Sequence, residues 1–381
     1  MNAKVLKYLI YVLGIVSLVA FISIRNLSLM NALMLEKIIP GHWEFVKYGE
    51  MYYFNYISHF KVDTLPQATQ KFRLSKKHAS LDESDILIFG DSFFDFSRHK
   101  NLPEQLYEKY NIPVYFERYD HPLASLKRKG YRNDEPKILI YETVERNIPR
   151  RFNHEHKIPA KPVMEKEEED PGSFDGIINF LFPEQREELY TRLLRRNYIS
   201  TRIYEMIATL KFDLFGYVSS LTPKYTLEDK KDPWLFYYRE VSDGHWGFYY
   251  QHTEEEINTY CDNIADLARK LEKEFNLKMV FIPIPNKYTI YHTMLNDHSY
   301  NNLLPRVHKG LEERNIPVVK LYETYLEHKD DMLYHGTDTH WNQKGIDIAV
   351  NKTLKVIENG LKPYLYAEDI QESTSNEILH D

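Results

Sequence analysis

The sequence predicts an α/β fold: a three-layer α/β/α sandwich around a five-stranded parallel sheet, preceded by one N-terminal transmembrane helix. Three observations lead there. Five short, nearly continuous apolar runs recur along the chain, and long amphipathic patterns lie between the later ones. Continuous apolar runs fit strands that helices cover on both faces, which is the environment of a parallel sheet. Ahead of them, the first 25 residues hold an apolar stretch of membrane-spanning length.

That stretch, "VLKYLIYVLGIVSLVAFISI" from Val5 to Ile24, is apolar apart from Lys7 and two serines. A hydrocarbon core needs about 20 such residues. It is apolar on all faces, unlike the one-sided stripe of a soluble surface helix. Lys4 and Lys7 at its start place the N-terminus in the cytoplasm and the rest of the chain outside, in the periplasm or beyond the cell. No A-x-A-type cleavage site follows, so an uncleaved anchor over residues 1–25 is expected rather than a signal peptide. Residues 26–80, with Trp43 and several tyrosines, read as a juxtamembrane segment.

The strand candidates are Ile86–Phe89, Val114–Glu117, Lys137–Tyr141, Met279–Ile284 and Val318–Leu321. The clearest helix is "HTEEEINTYCDNIADLARKLEKEF". Thr253 and Glu256 have capping-box spacing, and Ile257, Tyr260, Cys261, Ile264, Leu267 and Leu271 recur on one face. Cys261 therefore reads as a core residue. Residues 155–250 interrupt the alternation. They open on the acidic "PVMEKEEEDPG", continue through helical patterns, and end in the aromatic "WLFYYREVSDGHWGFYY". This is an insertion in an α/β domain that spans 81–366, and a polar tail occupies 367–381.

Composition excludes several classes. A net charge of −7 argues against nucleic-acid binding. One cysteine in 381 residues rules out an intrachain disulfide and a cysteine-rich metal site. The 30 tyrosines and 20 phenylalanines fit packing first and a sugar-binding cleft second.

Chemistry is suggested where the first apolar run stops, in "ILIFGDSFFD". Ligands and reactive groups gather beyond the carboxyl ends of parallel strands, so Ser92 is a candidate nucleophile. A serine hydroxyl needs an imidazole to take its proton, and that imidazole needs a carboxylate to fix its tautomer. After the fifth run comes "MLYHGTDTHWNQKG", which offers Asp338 and His340 at the same edge of the predicted sheet. Taken singly, Gly-Asp-Ser can be a plain turn and Asp-x-His a surface loop or a satisfied core histidine. A metal site from His335, Asp338 and His340 is a rival, but no metal and no cofactor is expected. Asp95 is a candidate cap for the helix after Ser92.

"GDSFFD" together with "DTHWNQKG" resembles the SGNH (GDSL-type) hydrolase superfamily, whose fold is flavodoxin-like. "YETVERNI" after the third strand and "IPIPNKYTIY" at the fourth narrow the resemblance to the SGNH-like domain of alginate and exopolysaccharide O-acetyltransferases. It covers about residues 81–360 apart from most of the insertion. The serine segment precedes the DTHW segment here, as in ordinary SGNH hydrolases and in the D-alanyl transfer protein of teichoic acid synthesis. The alginate enzymes have the reverse order.

The resemblance implies Ser92 as acyl-accepting nucleophile, His340 as general base and Asp338 as its orienting acid. The Ser92 N–H would serve an oxyanion hole, with Gly90 and Asp91 in support; no clear Gly and Asn blocks of ordinary SGNH hydrolases are present, and Arg146 or Asn147 is the candidate substitute. Arg146 and Asn147 have an alternative, pairing with Glu142 or Glu145 to hold the loop. Lys287 and Tyr288 are candidates for binding a sugar hydroxyl or carboxylate, or for structural support. Trp341 is a candidate sugar platform, or a core aromatic that positions His340.

The expected function is a membrane-anchored extracytoplasmic O-acyltransferase acting on a cell-envelope or secreted polysaccharide. Its partners would be that acceptor, a membrane-bound O-acyltransferase as acyl donor, and the bilayer through residues 5–24. A carbohydrate esterase with the same triad and a non-catalytic polysaccharide-binding scaffold are the alternatives.

Overall fold

The computed structural model describes residues 3–25, 47–62, 79–94, 99–110, 112–118, 121–153, 198–227 and 233–360. Trp43 and most of the juxtamembrane segment, Asp95, the acidic run at 162–172 and the tail at 367–381 lie outside these residues. The chain divides into two compact units. One comprises 1–45, 56–58 and 163–217, and the other 46–55, 59–162 and 218–381.

In the first unit, helix α1 runs over Ala3–Arg25. Its described side chains, at position 5 and from 7 to 18, are all exposed. Among the described residues, no helix is long and apolar enough to cross a membrane.

The second unit holds the sheet. Chain order is α2 (Glu50–Asn55), β1 (Ile86–Gly90), α3 (Leu102–Tyr110), β2 (Val114–Arg118), α4 (Pro122–Arg128), β3 (Lys137–Val144) and α5 (Ile148–Phe152). In the first unit again, α6 covers Tyr198–Phe215. The second unit resumes with β4 (Lys224–Thr226), β5 (Trp234–Phe236), α7 (Glu254–Phe275), β6 (Leu277–Ile284), α8 (Lys287–Tyr291), α9 (Leu303–Glu313), α10 (Leu321–Glu327) and α11 (Gln343–Gly360).

β2, β1, β3 and β6 form, in that order, a four-stranded sheet in which every pair is parallel. Ile86 stands beside Val114 on one side and Ile138 on the other, and Val144 beside Ile284. Side chains alternate between two cores, as a two-residue period requires. Ile86, Ile88, Ile138, Ile140, Val280 and Ile282 face α3 and α11. Leu87, Phe89, Leu139, Tyr141, Met279 and Phe281 face α7 and α9. Both faces are thus covered, which gives the three layers.

The fifth strand expected at Val318–Leu321 is reduced to a single parallel bridge between Phe281 and Val318. Phe281 N–H donates to Pro317 O and Val319 N–H to Phe281 O, each at 2.9 Å. The next ladder bond in one direction needs an N–H on Pro283, and the previous one an N–H on Pro317. Proline has none, so the pairing stops after one bridge.

Part of the expected insertion is integral to the fold. Trp234, Phe236, Val241 and Phe248 belong to the same core as β1 and β3, and β5 pairs antiparallel with β4.

α7 begins with the capping box read from the sequence: Thr253 Oγ1 accepts from Glu256 N–H, while Glu256 accepts from Thr253 N–H. It closes on Asn276 in the left-handed region. Cys261 on this helix is fully buried, and burial pushes its thiol up to about 11. α9 crosses α7 at Gly310, where an added Cβ would lie 2.6 Å from Cys261 Sγ. Gly310→Ala should therefore cost about 1–3 kcal/mol by overpacking. Cys261→Ala in the same chain should recover most of it, a coupling that a double-mutant cycle from urea unfolding measures.

Candidate active site

Two tight turns build the site. β1 is wholly buried and ends at Gly90, where a Cβ would fall 2.6 Å from Glu142 Oε2. Only glycine permits that approach. Asp91 then folds the chain back: its Oδ1 accepts Phe93 N–H at 3.0 Å and its carbonyl accepts Phe94 N–H at 3.2 Å. An aspartate that caps its own turn in this way is the reason the strand stops. The turn leaves Ser92 half-buried between buried neighbours.

The second turn lies between Tyr334 and Trp341, which form an antiparallel bridge. Inside it, Asp338 Oδ1 accepts the His340 backbone N–H at 3.0 Å. The same oxygen lies 2.6 Å from His340 Nδ1. On the other side of the ring, His340 Nε2 lies 2.9 Å from Ser92 Oγ. Serine hydroxyl, imidazole and carboxylate thus form one hydrogen-bonded line. An imidazole so held can accept a hydroxyl proton at Nε2 while Nδ1–H stays directed at the carboxylate.

Burial alone pulls His340 toward its neutral form, but the charge of Asp338 and its hydrogen bond outweigh burial and raise the imidazole. Burial likewise pushes the Asp338 carboxyl up. The His340 charge and hydrogen bonds reverse that and hold it below the usual carboxylate range.

The Ser92 N–H has no acceptor among the described residues, so it is available to an oxyanion. Asn147 Nδ2 lies 3.4 Å from Asp91 Oδ2, which keeps its carboxamide beside the serine turn. Neither Arg146 nor Asn147 pairs with Glu142 or Glu145. Arg146 instead donates to Glu240 Oε1 at 2.9 Å and to Asn286 Oδ1 at 3.3 Å. Its guanidinium stands 5.9 Å from the Phe93 ring, and that ring packs 4.9 Å from the His340 ring. Glu142 accepts the Asp91 backbone N–H at 2.6 Å. Burial, then the Asp91 charge, push its carboxyl well up.

Lys287 and Tyr288 are not placed to hold a substrate. Both are buried on α8. Lys287 Nζ donates to Leu235 O at 2.8 Å, Gly336 O at 2.6 Å and Asp338 O at 3.3 Å, which uses all three of its protons. Burial brings this amine down to about 7. It ties the 336–338 turn to β5. Tyr288 O–H donates to Asp297 Oδ2 at 2.6 Å and accepts from Lys224 Nζ at 2.8 Å. Trp341 is also buried. Its Nε1–H donates to Phe93 O at 3.1 Å and its ring stacks on Phe94, so it locks the two turns together.

His335, weighed as a metal ligand with Asp338 and His340, faces His99 instead, Nε2 to Nε2 at 2.7 Å with the rings stacked. Among the described residues, Glu50, Asp338 and His340 bring a side-chain oxygen, a side-chain oxygen and a ring nitrogen within 4.8 Å of one another.

Glu50, Glu240 and Asn286 were not anticipated from the sequence. Asn286 stands beside the singled-out Lys287. Glu50 and Glu240 carried no motif that marked them.

Burial holds the His335 imidazole down to about 3, against 6.5 for a free imidazole. Between those values the unfolded chain binds a proton that the folded one refuses. The stability linked to this histidine should therefore be fully present above pH 6.5 and be lost as pH falls toward 3. His335→Asn should remove roughly one proton from the linkage near pH 5, which urea unfolding across that range measures.

Neither the curated proteins nor the solved structures give a match. Of the site, Glu240, Asn286, Lys287, Asp338, His340 and Trp341 fall inside the stretch that a family model matches, whereas Glu50, Ser92, Arg146 and Asn147 fall outside it. Residues 229–378 match the SGNH hydrolase-like domain of acetyltransferase AlgX, the family to which the sequence motifs point.

Proposed function

We propose that this protein is a membrane-anchored, extracytoplasmic O-acyltransferase that moves an acyl group, most simply acetyl, onto a hydroxyl of a cell-envelope or secreted polysaccharide. The observation that carries the reading is the 2.9 Å separation of Ser92 Oγ from His340 Nε2, with Asp338 on the far nitrogen. The similarity to the acetyltransferase AlgX domain supports both the acyl group and a polysaccharide acceptor. The exposed apolar side chains of α1, among them Leu9, Ile10, Leu13 and Val16, support anchoring.

In the first half-reaction, Ser92 Oγ bonds to the donor's acyl carbon as its proton passes to His340 Nε2. The resulting oxyanion is met by the Ser92 N–H and the Asn147 carboxamide. Collapse breaks the bond to the leaving group, which takes the proton from His340, and acyl-Ser92 remains. In the second half, a sugar hydroxyl gives its proton to the same nitrogen and attacks the ester. Ser92 departs and recovers a proton. A membrane-bound O-acyltransferase partner would supply the acyl group.

A non-catalytic scaffold would be marked by a serine turned away from its histidine, and this serine is within hydrogen-bond reach. Esterase and transferase differ only in whether water or a sugar hydroxyl resolves the acyl-enzyme.

Ser92→Ala should abolish acetylation of the polysaccharide in cells and of position 92 in the purified protein, a loss of roughly a thousandfold or more. Unchanged polysaccharide acetylation in that strain eliminates the reading. Incubating the unsubstituted protein with p-nitrophenyl acetate, with and without oligosaccharide, separates transfer from hydrolysis by the product that accumulates. For the anchor, the full chain should stay with membranes through carbonate extraction, and Leu13→Lys with Val16→Lys should release it.

A further inference from the structure

We propose that Glu50 is a positioning residue of the Ser92–His340–Asp338 line, a second acid that stabilises the protonated form of His340. This deepens the acyl-transfer reading and rests on it for the kinetic readout alone.

Three consecutive residues ahead of the sheet grip three consecutive residues of the histidine turn. Gly49 has φ +89°, and an added Cβ there would sit 2.1 Å from Thr337 O. A glycine is therefore required for the two backbones to touch. Glu50 N–H donates to Asp338 Oδ2 at 3.1 Å. Met51 N–H donates to Thr337 O at 3.1 Å. The Glu50 carboxyl meets the Thr339 hydroxyl, which donates to its Oε1. Farther along α2, Asn55 Nδ2 bonds to Met51 O at 2.9 Å, and Asn55 Oδ1 accepts Ser219 N–H at 2.8 Å, so the gripping segment is itself fixed.

The grip leaves a carboxyl oxygen of Glu50, one of Asp338 and a ring nitrogen of His340 within 4.8 Å of one another. Asp338 has already committed both oxygens, one to His340 and one to the Glu50 N–H. Besides Asp338, Glu50 is the acid whose charge raises the imidazole. Its own carboxyl is raised by burial and then by Asp338, while His340, the Thr339 hydroxyl and Arg146 favour its ionised form. Glu240 and Lys287 also interact with it, and His335 faces the same pair of His340 and Asp338. An imidazolium and a Glu50 carboxylate each favour the other's charge. When Ser92 gives up its proton, the positive charge on His340 therefore forms beside two acids rather than one.

A mere strut and an electrostatic partner respond differently to Glu50→Gln, which keeps the oxygen facing Thr339 and removes the charge. The full chain, labelled with ¹⁵N-histidine in detergent, is titrated by NMR, and Ser92 acetylation by p-nitrophenyl acetate is followed against pH. The expected result is a His340 midpoint lower by about one unit. The acid limb of acetylation should shift with it, and the maximal rate should fall about threefold to tenfold. A midpoint and an acid limb that coincide with those of the unsubstituted protein overturn the proposal. Should the Gln variant not fold, Glu50→Asp withdraws the charge by one methylene and is expected to give a smaller shift in the same direction. No shift there also overturns it. The NMR titration needs no turnover, so a chain that fails to acetylate counts against the function proposed above and leaves this inference separately decided.

Discussion

The hydrogen bond between His340 and Ser92 is the contact on which the rest of this site depends. It joins two turns that are 248 residues apart in sequence. A hydroxyl becomes a nucleophile only if the imidazole is close and correctly oriented, and an error of about 1 Å costs orders of magnitude in rate. Much of the surrounding structure removes that freedom. Gly90 lets the serine turn sit against Glu142, Asp91 caps it, and Trp341 bonds it to the histidine turn through Phe93 O. Lys287 ties the histidine turn to β5 through the Gly336, Asp338 and Leu235 carbonyls, and residues 49–51 grip the same turn.

This arrangement depends on where the sheet ends. β6 loses its neighbour after one bridge because Pro283 and Pro317 lack the N–H groups that would extend the ladder. Beyond Val319 the chain turns directly into α10, and the loop that follows returns over the end of β6 carrying Asp338 and His340. Tyr334 O–H donates to Pro285 O at 2.5 Å and fixes that return. A full fifth strand would have carried the chain farther along the sheet before it turned.

How much of this could be read from the sequence follows from how local each cause is. Four strands and the long helix α7 were legible because burial on both faces and a 3.6-residue period write themselves into adjacent residues. The capping box at Thr253 was legible for the same reason. Ser92, Asp338 and His340 stood out as residues whose chemistry needs one another, set at the ends of predicted strands. The fifth strand misled because "IPVVKLY" has the right composition, while its pairing depends on a proline in another strand. For Lys287 the sequence left substrate binding and structural support open, because only the tertiary structure offers it three carbonyls. Glu50, Glu240 and Asn286 act through contacts about 50 to 290 residues distant, and no local pattern encodes a partner so remote.

Charge adds a last constraint. Asp91, Glu142, Glu145, Glu240 and Asp338 are buried around the two turns, with Glu50 half-buried among them. The cations set against them are Arg146, Arg151 and Lys287, and burial weakens the last. Six acids cannot all ionise against so little positive charge in a medium of low dielectric. The cheapest solution is for some to keep their protons. Glu142 is raised well above its ordinary value and Glu145 up to about 7, in each case chiefly by burial. Asp338 shifts the other way, because His340 lies against it. The surplus of acid is thus relieved at Glu142 and Glu145, while the carboxylate that orients the imidazole stays ionised. It also makes any positive charge that forms on His340 electrostatically welcome.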